Sequence, residues 1–198
     1  MKRDARKHAA NALRAAALPL CLLLVMFCFD ARPALSQGGA AAPKWETVKA
    51  GGMSIDMPGK PSRQTQTVQS AGGPVEVHLI GIDRGSEGFM VSHNEFPAVI
   101  ANALTDTKTL LDAGRDGALK NADGKLISER DLTLGGHPGR EVVGEVPSKK
   151  TAFTLRVYWV KPHLYQVIYL HPQASAVTAD GRKFLDSPRV EQTAAPAN

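Results

Sequence analysis

The chain contains little cysteine: two residues out of 198, Cys21 and Cys28, both in an apolar stretch near the N-terminus. Inside such a stretch a cysteine acts as a small hydrophobic residue. Residues 37–198 contain none, which excludes disulfides, thiol catalysis and thiolate-bound metals from that part of the chain. A domain of roughly 145 residues can bury about two-thirds of its unfolded surface, so we expect a fold that needs no covalent cross-link.

An excess of positive charge is also missing once the N-terminus is set aside. Six of the 24 basic residues and two of the 19 acidic residues lie in residues 1–36. Residues 37–198 therefore carry 18 basic and 17 acidic residues and are close to neutral. They contain no cluster of basic residues with interleaved aromatic residues. We therefore do not expect nucleic acid as a partner.

Sequence motifs of common enzymes are absent too. The chain has no Gly-x-Ser-x-Gly nucleophile motif, no Gly-x-x-x-x-Gly-Lys phosphate loop and no His-Glu-x-x-His zinc motif. Residues 135–140 are rich in glycine, but they join two predicted antiparallel strands, whereas a phosphate cradle opens a helix. We interpret them as a turn, and we expect Arg140 and Glu141 to point to opposite faces of the next strand. We predict a non-enzymatic protein without a cofactor.

The N-terminal 36 residues have the organisation of a secretory signal. A basic start precedes the apolar run Leu18–Phe29, and the small residues Ala34 and Ser36 occupy the positions that a signal peptidase reads. We predict a signal peptide over residues 1–36, cleaved between Ser36 and Gln37. The run of twelve residues is shorter than the roughly 20 that span a bilayer, which favours a cleaved signal over the alternative of a retained anchor.

Two other export signals are disfavoured by the same segment. Leu20 and Phe27, which are not small residues, precede the two cysteines, so a lipoprotein is not predicted. No two arginines are adjacent, as a twin-arginine signal requires. We predict export by the general secretion route to the periplasm or the medium, with no stable membrane insertion after cleavage.

The remaining chain is divided into a flexible linker (37–44), one globular domain (45–190) and a disordered tail (191–198). Alternating and β-branched runs predict strands at residues 45–49, 53–57, 64–69, 75–79, 89–94, 125–134, 140–146, 151–160 and 164–170. Apolar residues at helical spacing predict a helix over Asp106–Ala122, capped by Thr105 or Thr107 at its start and by Gly124 at its end. A C-terminal helix is expected to carry Val177, Phe184 and Leu185 on one face, before Pro188. The fold class is therefore α+β, a mainly antiparallel sheet with two helices.

This order of elements resembles the PsbP/Mog-type α/β/α sandwich, which includes PsbP, the Mog proteins and the exported bacterial DcrB and LpqN proteins. The similar strings are the strand end Ile55–Pro58, the helix start Leu111–Asp116, the turn Leu134–Glu141, the pair Leu164–Tyr165 and the segment Phe184–Ser187. The resemblance covers nearly all of residues 45–190, and its motifs are turns and core positions. The resemblance implies an interaction or accessory fold, and it transfers no binding residue. Membrane tethering is not carried over, because the chain lacks the lipoprotein motif.

One pair of side chains is a candidate metal site. If the loop Asp83–Gly88 sets Ile82 opposite Phe89, His78 lies directly opposite His93, and Glu76 faces Glu95. Two imidazoles and two carboxylates that converge in this way are ligands for a divalent metal. The alternative is that these histidines are solvated at the surface or packed under a helix. We favour it because a slip of two residues in the pairing of the two strands would separate the imidazoles.

Aromatic residues are concentrated on the last two predicted strands, at Tyr158, Trp159, Tyr165 and Tyr169. Alternation places Tyr158 and Trp159 on opposite faces, and Tyr165 and Tyr169 on one face. We favour core packing over a partner-binding patch, because buried aromatic residues supply much of the packing area of a small sheet.

These patterns together predict an exported, non-enzymatic accessory or binding protein that contacts an unknown envelope protein and is itself a monomer. The alternative is a periplasmic carrier of a small molecule or a metal, built around His78 and His93 or around a pocket at the edge of the sheet.

Overall fold

The structure is a computed structural model that describes residues 43–70 and 73–191. The predicted signal, its cleavage site at Ser36 and Gln37, most of the predicted linker and residues 192–198 lie outside the described residues.

The described residues form ten strands and three α-helices. The strands are β1 (Glu46–Ala50), β2 (Met53–Met57), β3 (Ser62–Ser70), β4 (Gly73–Asp83), β5 (Gly88–Glu95), β6 (Lys125–Leu134), β7 (His137–Val146), β8 (Thr151–Val160), β9 (His163–Pro172) and β10 (Arg189–Val190). The helices are α1 (Ala98–Ala103), α2 (Thr107–Ala122) and α3 (Ala179–Asp186). None of these helices is long and apolar enough to cross a membrane.

The strands form two sheets. Seven of them make an antiparallel sheet in the order β3-β4-β5-β9-β8-β7-β6, and a small sheet has the order β1-β2-β10. The predicted α+β fold class with a mainly antiparallel sheet is confirmed. The second sheet and the third helix were not predicted. β2 pairs with β1 on one side and with β10 on the other instead of joining the main sheet, and α1 has only six residues, too few to show a helical period.

The two faces of the large sheet bury separate cores. On one face, α2 packs Leu111 and Ala118 into a cluster with Phe96 and Trp159. On the other face, the small sheet and α3 cover a second cluster, which includes Met53, Ile55, Tyr158, Tyr165, Tyr169 and Phe184. Strand alternation sends successive residues of one strand to different cores, as at Tyr158 and Trp159.

The helix ends differ in detail from those predicted. The α2 N-cap is Asp106, whose carboxylate accepts a hydrogen bond from the Thr109 N–H at 3.1 Å, so neither predicted threonine is the cap. At the other end, Asp123 and not Gly124 adopts the left-handed conformation (φ 51°). Val177 precedes α3, which begins after Thr178, so it lies outside the helix on which it was predicted.

The glycine-rich segment is the turn of the β6–β7 hairpin, as predicted. Leu134 pairs with His137, which leaves Gly135 and Gly136 as a two-residue loop. Both glycines have positive φ, 58° and 83°, as a tight hairpin turn of this length requires.

Candidate functional site

A row of polar side chains crosses one half of the large sheet, on the face that the small sheet covers. Thr65, His78, His93 and Tyr165 lie directly opposite one another on β3, β4, β5 and β9. We call these four residues the histidine row. The imidazoles of His78 and His93 are stacked, with ring centroids 4.7 Å apart and 22° between the planes.

This juxtaposition follows from the register that the sequence predicts. Ile82 pairs with Phe89, and His78 therefore pairs with His93 four steps further along the two strands. The geometric condition for the candidate site is thus confirmed.

The turn between β1 and β2 lies on the histidine row. The Gly52 N–H donates a hydrogen bond to the Tyr165 hydroxyl at 3.1 Å. A Cβ atom at Gly51 would lie 3.2 Å from His93 Nδ1, and Gly51 has φ of 62°. A glycine is required here both for the left-handed turn and for the close approach to the imidazole.

Burial and positive neighbours keep His93 neutral. Burial in the sheet, together with the nearby His78, His163 and Arg63, lowers the pKa of His93 from 6.5 to about 4. At the outer end of the row, the Thr65 hydroxyl lies 3.0 Å from His78 Nδ1. His93 therefore contacts its neighbours in the row as a neutral imidazole at physiological pH.

The two predicted carboxylates do not complete a metal site. Glu76 Oε2 lies 3.9 Å from His78 Nε2. The β4–β5 ladder ends at Val77 and Asn94, so Glu76 and Glu95 lie beyond its last pair, and Glu95 is instead opposite His163 of β9. No group of three or more histidine, cysteine, aspartate or glutamate side chains among residues 43–70 and 73–191 is placed to hold a metal ion.

The stacking of the two imidazoles partly explains why they are not placed to hold a metal ion. The lone pair of an imidazole nitrogen lies in the ring plane, so two nearly parallel rings direct their lone pairs side by side and not toward one point. Both rings would have to turn before they bound one metal ion.

His163 is the member of this region that the sequence analysis missed. It contacts Tyr165, with ring centroids 5.8 Å apart, and its buried Nδ1 has no hydrogen-bond partner in the structure. Nothing in the local pattern indicates it, because β9 reaches β5 from about 70 residues further along the chain.

The aromatic residues form core and not a binding patch. Tyr158, Trp159, Tyr165 and Tyr169 are all buried, with Trp159 on the face of α2 and the tyrosines on the other. The core interpretation is confirmed, and the alternative of a partner-binding aromatic patch is wrong for these four rings.

Two arginine networks occupy the other half of the large sheet. Arg140 is buried on the α2 face and is bound to Asp112 and to Asp131, the latter at 3.0 Å. On the opposite face, Arg156 donates to Glu141 at 2.7 Å. Arg140 and Glu141 therefore serve opposite faces, as predicted.

The carboxylates of both networks are held in their ionised form. The Lys108 ammonium and then Arg140 lower the pKa of Asp112, although partial burial opposes them. Burial raises the pKa of Glu141, but hydrogen bonds from Arg130 and Arg156 outweigh it and lower that pKa overall. These ion pairs tie β6, β7 and β8 to the helices.

Large apolar side chains are exposed at only a few described positions: Val99 (84%), Leu126 (43%) and Ile127 (60%). Leu126 and Ile127 are adjacent on β6, at the end of the large sheet, where the register with β7 shifts between Leu126 and Ser128. We call Leu126 and Ile127 the β6 apolar pair. The strand was predicted, but the bulge was not, because four polar residues follow Leu126 and Ile127 and leave no alternating pattern for an extra residue to interrupt.

Comparisons with known proteins agree with this description at the level of the fold. No family model matches the chain, and no curated protein matches it. Among solved structures, it is similar to the solution structure of cyanobacterial PsbP (CyanoP) from Synechocystis sp. PCC 6803, with a TM-score of 0.50 and 14% sequence identity. The match covers 80% of this chain and 99% of that one. The chain therefore has a PsbP-like fold.

Proposed function

We propose that the chain is an exported, non-enzymatic accessory protein that binds a protein partner in the cell envelope. Export is supported by the basic start, apolar run and small-residue exit of residues 1–36. The observation that carries the binding role is the exposed β6 apolar pair, Leu126 and Ile127.

The β6 apolar pair has the composition of a small docking surface. Two large aliphatic side chains lie next to each other on an exposed strand, with Lys125 before them and Glu129 and Arg130 after them. Apolar residues inside a charged rim are typical of surfaces that bind another protein. A β-bulge changes the direction of the side chains beside it, and the register shift between Leu126 and Ser128 lies at this pair.

The groups that could support catalysis have structural explanations. The buried Arg140 and the largely buried Arg156 are each bound to carboxylates that connect a strand to a helix. The tyrosines of β8 and β9 are core residues. We therefore favour a binding role over an enzymatic one.

A photo-crosslinking amino acid at position 127 tests the proposal in cells that produce the chain. We expect a discrete crosslinked product with an envelope protein, and the same probe at Val99, which is more exposed but isolated, serves as the matched control. The substitution Ile127→Lys should weaken binding of the identified partner by at least tenfold, about 1.4 kcal/mol. A product that forms equally at both positions, or at neither, would contradict the proposal.

The carrier function remains a second candidate, because His78 and His93 are adjacent. Calorimetric titration of the metal-free protein with zinc and copper tests it. Binding that is lost in His93→Gln would support it, and heats no larger than those of buffer competition would end it.

A further inference from the structure

Lysine side chains gather at the end of the large sheet where the β6 apolar pair lies. Lys125 directly precedes the pair on β6 and is opposite Glu145 of β7. Lys149 and Lys150 lie in the turn that joins β7 to β8 at the same end of the sheet. Lys120 lies in the last turn of α2, the helix that precedes β6 in the chain. We call these four lysines the lysine group.

The lysine group and the β6 apolar pair fit within one ordinary interface. Leu126 is opposite Gly144, and Gly144 is opposite Phe153, so the level of the pair can be followed across β7 to β8. Neighbouring strands are about 5 Å apart, which places Lys150 roughly 10 Å to the side of β6 and about 10 Å beyond the level of Leu126. A standard interface covers about 800 Å² on each partner and is therefore about 30 Å across. A protein that covers the pair thus also reaches the lysines.

Most of the lysine group carries charge that the fold does not neutralise. Lys120, Lys125 and Lys150 form no ion pair among residues 43–70 and 73–191, in contrast to Lys49 and Lys108. The buried arginines of β7 and β8 are instead bound to carboxylates of the chain itself. The positive charge available to a partner at this end therefore comes from lysine.

Two carboxylates accompany the four lysines at this end of β6, β7 and β8. Asp123 is exposed at the C-terminus of α2. Glu145 accepts a hydrogen bond from the Gln173 amide, which carries no charge. Four positive and two negative side chains leave a net charge of +2 around the apolar pair. An unbalanced charge of this kind attracts a partner of the opposite sign and speeds its association.

We propose that the partner of the β6 apolar pair is a protein segment in which apolar residues are flanked by aspartate and glutamate. This inference rests on the proposed function, because it takes the pair as the docking surface and adds the chemistry of what docks there. The apolar residues of the segment cover Leu126 and Ile127, and its carboxylates face the lysine group. Charges at the rim of an interface act mainly on the association rate and on the choice of partner.

A lipid surface fits this end of the sheet less well than a protein does. Anionic headgroups attract lysines, but here they would also meet the carboxylates of Asp123 and Glu145. Segments that lie in a membrane interface present a broad apolar face with Trp, Phe or Leu, whereas the β6 apolar pair consists of two side chains that are 43% and 60% exposed. A protein segment can place its carboxylates opposite the lysines alone.

The photo-crosslinking probe at position 127 tests the inference when it is combined with Lys150→Glu, in an envelope extract of cells that produce the chain. Lys161→Glu is the matched control, because Lys150 and Lys161 flank the two ends of β8 and both changes alter the net charge equally. In about 0.1 M salt, we expect Lys150→Glu to lower the yield of crosslinked product about threefold or more, Lys150→Gln to lower it less, and Lys161→Glu to leave it unchanged. In about 1 M salt the Debye length falls from about 10 Å to about 3 Å, so the difference between the two Glu variants should disappear.

The outcomes separate this inference from the proposed function. Absence of a product at position 127 in every variant would contradict both. Equal yields in Lys150→Glu and Lys161→Glu, or a crosslinked partner peptide without an excess of aspartate and glutamate, would keep the docking surface and overturn its acidic partner. Vesicles of phosphatidylglycerol that bind the chain, but not its Ile127→Gln variant, would identify an anionic membrane as the occupant and also overturn the inference. Urea unfolding of each lysine variant should match that of the unsubstituted chain, since these lysines are exposed.

Discussion

The two halves of the large sheet organise their polar side chains in different ways. In the half formed by β6, β7 and β8, the buried Arg140 and the largely buried Arg156 are bound to carboxylates on neighbouring elements. In the half formed by β3, β4 and β5, the histidine row centres on the neutral imidazole of His93, and Thr65 and His78 meet through one hydrogen bond. We call these the ionic half and the neutral half.

The difference has consequences for stability and for assembly. Buried ion pairs are costly to break, and they also leave charge on the outer strand, where it opposes pairing with a like strand. A neutral row imposes no such barrier, but it contains an imidazole that must stay uncharged. Substitutions in the ionic half should therefore act on stability wherever the carboxylates are ionised, and those in the neutral half mainly as the pH falls below about 6.5.

The largest expected effect is that of Arg140→Met in the ionic half. The Arg140 side chain is 7% exposed and lies within 4.0 Å of carboxylate oxygens of Asp112, Glu129 and Asp131. Its removal takes away the one cation that all three carboxylates share, although Lys108 and Arg115 still lie beside Asp112 and Glu129, and we expect a loss of about 2–3 kcal/mol in the free energy of unfolding. Urea unfolding measures it.

The matched control for this change is Arg63→Met in the neutral half. Arg63 is exposed and donates to the Lys49 carbonyl at 3.2 Å, so we expect a loss of less than about 0.5 kcal/mol. If both substitutions lower the free energy of unfolding by the same amount, the two halves do not differ in their contribution to stability.

The second prediction concerns pH and the neutral half. Because the folded protein keeps the pKa of His93 at about 4, below its ordinary 6.5, the unfolded chain binds more protons between these values. The contribution of His93 to the free energy of unfolding is thus fully present above about pH 6.5, and it is lost as the pH falls toward 4. Allowing for the partial exposure of the ring, we expect a loss of roughly 1–2 kcal/mol across this range.

His93→Gln should flatten this part of the stability profile, measured by urea unfolding at a series of pH values. His137→Gln, at the first residue of β7 in the ionic half, is the control for a histidine-to-glutamine change outside the histidine row. Burial of His93 is the main cause of the effect, and the neighbours His78, His163 and Arg63 add to it because they oppose a charge on His93. An unchanged slope in His93→Gln would assign the pH dependence to other residues.

Local patterns predicted the neutral half better than the ionic half. His78 and His93 were placed correctly because a short hairpin loop determines the register of two strands that follow each other. His163 and the turn at Gly51 were not placed, because they reach the same site through pairings between distant parts of the chain. The binding partners of Arg140 depend on how α2 lies on the sheet, which no local pattern contains.

Details at single residues were also beyond the sequence pattern. Asp106 lies between two threonines, and all three are good caps, so the choice depends on the backbone geometry of the loop. The exposure of Ile127 depends on a bulge that shifts one residue out of the alternation. The element types were thus predictable, whereas the cap and the exposed surface depended on geometry.

The smallest expected effect is that of Arg130→Met, which separates the exposed edge of the ionic half from its buried part. Arg130 is 67% exposed and donates to Glu141 at 2.8 Å, while Arg156 binds the same carboxylate from a buried position. Exposed ion pairs contribute little, so we expect a loss of about 0.5 kcal/mol or less at low salt. In 1 M salt, where charges are screened beyond about 3 Å, the loss should become smaller. A loss that is larger, or that is unchanged in high salt, would mean that Glu141 depends on Arg130 as much as on Arg156, and that the charged edge of β6 stabilises the fold.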